Sequence, residues 1–78
     1  MAWIALRFRG KEYTAAQLIA ISKRFLEDTG CEYRSYEIYD DCDMLMVTGV
    51  DKDGQETELE LPLDELTLYA PQECGETH

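Results

Sequence analysis

Hydrophobic and polar residues alternate from residue 2 to residue 9, with Ile4, Leu6 and Phe8 on one face and Trp3, Ala5, Arg7 and Arg9 on the other. That period of two predicts a half-buried strand. Arg9-Gly10-Lys11 reads as a turn. The period then lengthens to that of a helix, whose buried stripe is Ala15, Leu18, Ile19, Ser22, Phe25 and Leu26, with Ile21 at its margin. Thr14-Ala15-Ala16-Gln17 has the form of a capping box, and Tyr13 and Leu18 hold the staple positions. Gly30 suits the left-handed position that closes a helix, so this one is expected to run to about residue 29. Lys23 and Arg24 fall on its solvent side, each four residues before an acid, Glu27 and Asp28.

From Cys31 the period returns to two. Residues 32–39 and 44–50 predict strands joined by Asp40-Asp41-Cys42-Asp43. Asp51-Lys52-Asp53-Gly54 predicts a hairpin turn, because Asp and Gly tolerate the positive φ such turns need. The strand at 55–61 turns Thr57, Leu59 and Leu61 inward and Glu56, Glu58 and Glu60 outward, and Pro62 ends its pairing. A turn at 63–65 leads to a short last strand at 66–69. The expectation is a single small α+β domain over residues 1–70, in β-α-β-β-β order with the short strand added. One helix would pack on an antiparallel sheet of four to five strands. Residues 71–78 are expected to form a flexible tail.

The order of burial depends on register. A two-residue loop at the Asp51–Gly54 turn sets Thr48 opposite Thr57, Met46 opposite Leu59 and Met44 opposite Leu61. The other face then carries Gly49, Val47 and Leu45 beside Glu56, Glu58 and Glu60. Tyr36 alternates with Tyr33 and Tyr39, which puts rings on both faces of the sheet. The Asp40–Asp43 loop allows two registers, and a one-residue slip exchanges the faces.

Seventy-eight residues leave room for one small core, which a partner or a second copy can complete. With 45% hydrophobic residues the chain is too apolar to read as disordered despite its charge. Its charge is divided: residues 1–26 hold five basic residues and one acid, whereas residues 27–78 hold sixteen acids against Arg34 and Lys52. The net charge of −10 repels nucleic acid and anionic membranes, and it favours basic proteins as partners. No apolar run approaches the roughly 18–20 residues that span a bilayer. Cys31, Cys42 and Cys74 are an odd set without C-x-x-C spacing, which points to a reducing, cytoplasmic setting rather than a disulfide framework.

Candidate chemistry is sparse. The one histidine, His78, ends the chain, so no Ser-His or Cys-His pair can be built with a positioned base. A glycine-rich phosphate loop is also missing, and no enzyme activity or cofactor is expected. Read as a calcium loop from residue 49, the chain places Asp51, Asp53, Gly54 and Glu60 at matching positions but has Gly49 where the first acid belongs. A Cys3His zinc site from Cys31, Cys42, Cys74 and His78 would lack the close ligand pairs such sites use. Neither metal is expected. Arg7 and Arg9 beside Trp3 resemble a small nucleic-acid platform, but the surrounding acids are expected to neutralise them.

The acids are more ordered than the cations. Carboxylates at Glu56, Glu58 and Glu60 recur about every 6.7 Å along one strand face. Asp40, Asp41 and Asp43 crowd one turn, and Asp51 and Asp53 crowd another. Leu45 and Val47 would give this acidic surface a desolvated centre. A solvated face that keeps the sheet soluble accounts for the same residues; turn chemistry accounts for the aspartates.

In size, charge and lack of catalytic residues, the chain resembles the small acidic inhibitors carried by phages: anti-CRISPR proteins, uracil-DNA glycosylase inhibitors and other DNA mimics. The likeness is one of class and composition over the whole chain. It implies a non-catalytic inhibitor that fills the basic groove of a nucleic-acid-binding protein by charge mimicry. The residues named for that contact are Asp40, Asp41, Asp43, Leu45, Val47, Asp51, Asp53, Glu56, Glu58 and Glu60. A different expectation is an adaptor that binds a protein, or a second copy of itself as a homodimer, through an apolar-aromatic sheet face.

Overall fold

Arg9 and Gly10 both adopt positive φ, 55° and 80°, and their two-residue loop closes an N-terminal hairpin. This left-handed pair matches the twist of the flanking strands. The hairpin joins β1 (Ile4–Phe8) to β2 (Lys11–Thr14), a strand the sequence pattern did not reveal. Only Tyr13 of β2 is buried, so four residues display too little alternation to be read. The computed structural model describes residues 3–70; the expected tail at 71–78 lies outside them.

Thr14 then caps α1 (Ala15–Glu27) as expected. The Thr14 amide donates to Gln17 Oε1 at 2.8 Å, and the Gln17 amide donates to Thr14 Oγ1 at 3.1 Å. Two N–H groups that a helix start would leave unpaired are thereby satisfied. Leu18, Ile21, Ser22 and Leu26 form the buried stripe, while Ala15 is exposed. Ile21 therefore lies at the centre of the helix contact rather than at its margin. Ser22 is fully buried, and its hydroxyl donates to the Leu18 carbonyl at 2.8 Å. Gly30, at φ 77°, turns the chain out of the helix as predicted.

The remaining strands form a meander: β3 (Glu32–Tyr39), β4 (Met44–Val50) and β5 (Glu56–Pro62), all antiparallel in the order β3-β4-β5. The architecture is thus α+β, with a two-stranded and a three-stranded sheet in place of the single four-to-five-stranded sheet expected. The expected strand at residues 66–69 is instead helical. A 3-10 turn at Leu63–Glu65 leads into the short α2 (Leu66–Tyr69). Leu63 and Leu66, three residues apart, both enter the core, and only a coiled backbone allows this. The Phe25 and Tyr69 rings meet in a T-shaped arrangement at a centroid distance of 5.3 Å, holding α2 on α1.

One core lies between α1 and the meander. Leu18, Ile21 and Leu26 meet Leu45, Val47 and Leu61, with Leu6, Tyr13, Leu63 and Leu66 closing the sides. Gly49 completes the seam. A β-carbon there would stand 2.9 Å from Cys31 Cβ and 3.1 Å from Leu26 Cδ1, too close for either. Glycine at 49 therefore lets the end of α1 seat directly on β4.

Candidate functional site

The face of the meander turned away from α1 is built by register. Across β3, β4 and β5 run four rows: Glu32–Val50–Glu56, Ser35–Thr48–Glu58, Glu37–Met46–Glu60 and Tyr39–Met44–Pro62. Residues directly opposite in an antiparallel ladder share a face. The outer face thus has a half-buried central strip of Met44, Met46, Thr48 and Val50, with exposed glutamates on both sides of Met46 and Val50, on one side of Thr48, and Tyr39 and Pro62 beside Met44. Strands lie about 4.8 Å apart, so the two glutamate rows stand roughly 10 Å from each other.

This register departs by one residue from the expected one, and the turn is the reason. The Asp51 amide donates to the Gln55 carbonyl at 3.0 Å and the Gly54 amide to the Asp51 carbonyl at 3.0 Å, with Gly54 at φ 84°. That is a three-residue loop with glycine in the left-handed position, not a two-residue loop. The glycine as third loop residue was the legible signal. Met46 consequently faces Glu60, and Leu45 faces Leu61.

Leu45 and Val47 are therefore corrected. Both are fully buried beneath the sheet, on the face opposite the glutamates, and cannot contact a partner. Met44, Met46 and Val50 take the central positions assigned to them. Tyr33 and Tyr36 also point inward together, because the pairing slips at Arg34 and one residue of β3 is left over. Of the three β3 tyrosines only Tyr39 belongs to the outer face, where it is 40% exposed. The negative charge of Glu37 beside it, followed by partial desolvation and the charge of Glu58, pushes its phenol above the ordinary 10.0.

The other acids named from sequence are exposed or half-exposed and sit at the ends of this face. Asp40 and Asp41 lie in a 3-10 turn between β3 and β4, followed by Asp43 in the left-handed region at φ 52°. The Asp43 carbonyl accepts from the Leu63 amide at 3.0 Å, tying that turn to the end of β5. Asp51 and Asp53 occupy the opposite end, in the β4–β5 loop. Asp51 Oδ1 accepts from the amides of Asp53 and Gln55, both at 2.9 Å, so one of its oxygens is committed to the turn. Glu56, Glu58 and Glu60 lie between the two turns along β5.

Magnitudes favour reading the outer glutamates as a field rather than as isolated charges. Glu56, Glu58 and Glu60 recur about every 6.7 Å along β5, and Glu32 and Glu37 form a second row on β3, so the β5 row has about half the linear charge density of a nucleic-acid strand. A single DNA strand carries roughly one charge per 3.4 Å of axis. One cation intrudes: Arg34 lies 3.7 Å from Glu56 and offsets one of these charges, although an exposed pair at that distance adds little stability.

At the basic end of the molecule two arginines face acids of the same chain. Arg7 Nε lies 3.0 Å from Glu12, and an Arg9 guanidinium nitrogen lies 3.1 Å from Asp64. Lys23 and Arg24 form no close ion pair with Glu27 or Asp28 among the described residues. An open cleft of about 240 Å³ separates β2 from α1 and α2, with Lys11, Tyr13, Ile21 and Thr67 in its walls. Among the described residues no three His, Cys, Asp or Glu side chains converge as a metal site would require. Cys74 and His78, named above for zinc, lie outside those residues. No helix of the described chain is long and apolar enough to cross a membrane.

The chain matches no protein-family model, no curated protein and no solved structure, so the reading of its outer sheet face rests on its own residues.

Proposed function

We propose that this protein is a non-catalytic binding protein that lays its outer sheet face against a basic protein surface, of the kind that otherwise grips a nucleic-acid backbone. One observation carries the reading: on the outer face Met46 and Val50 each stand between two glutamates, and Met44 continues the strip between Tyr39 and Pro62. An apolar centre with a charged rim is the anatomy of a protein interface. The two glutamate rows make a face of one sign, which accelerates encounter with a surface of the other. Asp40, Asp41, Asp43, Asp51 and Asp53 extend the field at both ends.

The test is capture of basic proteins from a lysate at low salt and at about 1 M salt, where screening shortens to roughly 3 Å. Charge mimicry predicts loss of the captured protein at high salt and with the Glu56→Gln/Glu58→Gln/Glu60→Gln triple variant. Retention of the partner in both conditions would sink it.

The half-buried methionines favour a second reading, an adaptor that binds a protein or its own copy mainly through apolar contact. It predicts salt-insensitive association that Met46→Asp or Tyr39→Ala abolishes and the glutamine variant spares. Leu45 and Tyr36 are unsuitable for this test because both face the core.

A further inference from the structure

The outer edge of β5 has a property that its glutamate side chains do not express alone. In an antiparallel ladder, residues of one parity exchange both backbone bonds with the neighbouring strand, and residues of the other parity point both groups away. Two bonds set the parity for β5. The Asp51 amide donates to the Gln55 carbonyl at one end, and the Leu63 amide donates to the Asp43 carbonyl at the other, each at 3.0 Å. The register between these ends is unbroken. Thr57, Leu59 and Leu61 therefore bond to β4. The N–H and C=O groups of Glu56, Glu58 and Glu60 are directed to the open side of the sheet, which no strand covers among the described residues.

We infer that β5 is a docking edge that takes up an extended segment of a basic partner, running antiparallel, as a fourth strand of the meander. The inference rests on the proposed acidic binding face and specifies how that face is engaged. An incoming antiparallel strand paired with Glu56, Glu58 and Glu60 places its directly opposed side chains on the outer face, with β-carbons about 5 Å from those of the glutamates. Cations at every second position are what those places select. The intervening side chains fall on the inner face beside the half-buried Thr57 and Leu59, where apolar residues fit. The occupant is thus a segment alternating Lys or Arg with apolar residues, held by backbone bonds and selected by its side chains.

A second copy of β5 does not satisfy the same edge. Antiparallel self-pairing centred on Glu58 would set each Glu58 against its counterpart and Glu56 against Glu60, stacking like charges across the new ladder. The opposite edge, β3, is a poorer template, because the slip at Arg34 interrupts its pairing line and adds a cation there.

The test uses the full chain, labelled with nitrogen-15, and a blocked heptapeptide of alternating lysine and valine at low salt. Amide hydrogen exchange at Glu56, Glu58 and Glu60 should slow about tenfold or more when the peptide is saturating, with Thr57 and Leu59 unchanged. Glu58→Pro removes an edge N–H without touching the β4 ladder. It should weaken the peptide about tenfold, whereas Glu58→Gln, which keeps the N–H, should cost about threefold. Should the proline variant fail to fold, the peptide carries the same question. Methylating its lysine amides should abolish binding, and methylating its valine amides should not.

Peptide that binds without slowing exchange at Glu56, Glu58 and Glu60, or that binds equally when its lysine amides are methylated, overturns strand addition and leaves the acidic-face reading standing. Failure of the peptide to bind at all also overturns it. So does slow exchange at these three amides in the peptide-free protein, which would mean that the edge is already occupied. The acidic-face reading is judged separately, by whether the triple glutamine variant still captures basic proteins.

Discussion

Met46 stands directly across the β4–β5 ladder from Glu60, and its immediate neighbour Leu45 stands across from Leu61. One pair looks to solvent and the other to α1, so two adjacent residues of one strand belong to different parts of the molecule. Their substitutions should separate accordingly. Leu45→Ala leaves a hole beneath α1 and should cost about 2–5 kcal/mol. Met46→Ala should cost less than about 1 kcal/mol, since its outer side is already wet. Urea unfolding of the two variants checks the face assignment. Equal losses would contradict it.

Gly49 faces the end of α1 with no room for a side chain. The obstructing Cys31 Cβ is fixed to its backbone and cannot swing away, so Gly49→Ala must push β4 off the segment that leads from α1 into β3 and crowd the Leu26 side chain. A loss of about 1–3 kcal/mol is expected in chemical denaturation. In a domain whose total is on the order of 5 kcal/mol, that loss should be visible as a clear fall in the denaturation midpoint.

Thr14→Ala removes the acceptor of the Gln17 amide and weakens the reciprocal bond. The expected cost is about 1 kcal/mol, with fraying of the first turn of α1 visible in amide exchange. Thr14→Ser should restore most of it.

The triple change Glu56→Gln/Glu58→Gln/Glu60→Gln leaves every strand contact in place and removes three like charges from one edge. Stability should stay within about 0.5 kcal/mol of the parent, or rise slightly. Loss of binding in a variant that unfolds normally would assign the glutamates to recognition rather than to folding.

Tyr39 offers a spectroscopic probe of the same field. Its raised pKa means that the folded protein favours the neutral phenol. The associated stabilisation is complete below the ordinary value of 10.0 and is lost as pH rises through the raised one. Glu37→Gln removes the largest cause and should bring the Tyr39 titration, followed by ring carbon chemical shift, back toward that ordinary value. An unchanged titration would show that Glu37 does not act on the phenol.

Much of this protein is local and therefore readable along the chain. The capping box at Thr14 and Gln17, the left-handed Gly30 and the alternating glutamates of β5 each depend on neighbours within a few residues. Composition made the acidity plain. Other elements needed contacts that local pattern does not carry. Residues 66–69 have the composition of a strand, yet Leu63 and Leu66 both reach the core and the chain coils to let them. Tyr33 and Tyr36 share a face only because the pairing slips at Arg34.

The sequence by itself determined the capped helix, the existence of the three meander strands and the regular spacing of acids along β5. Only the tertiary structure decided which residues stand among those acids. Side chains alternate with a period of two, so one extra residue in the Asp51–Gln55 turn exchanges the two faces of a whole strand. Packing against α1 then selects the exchange that buries Leu45 and Val47 and leaves Met46 and Val50 between the glutamates.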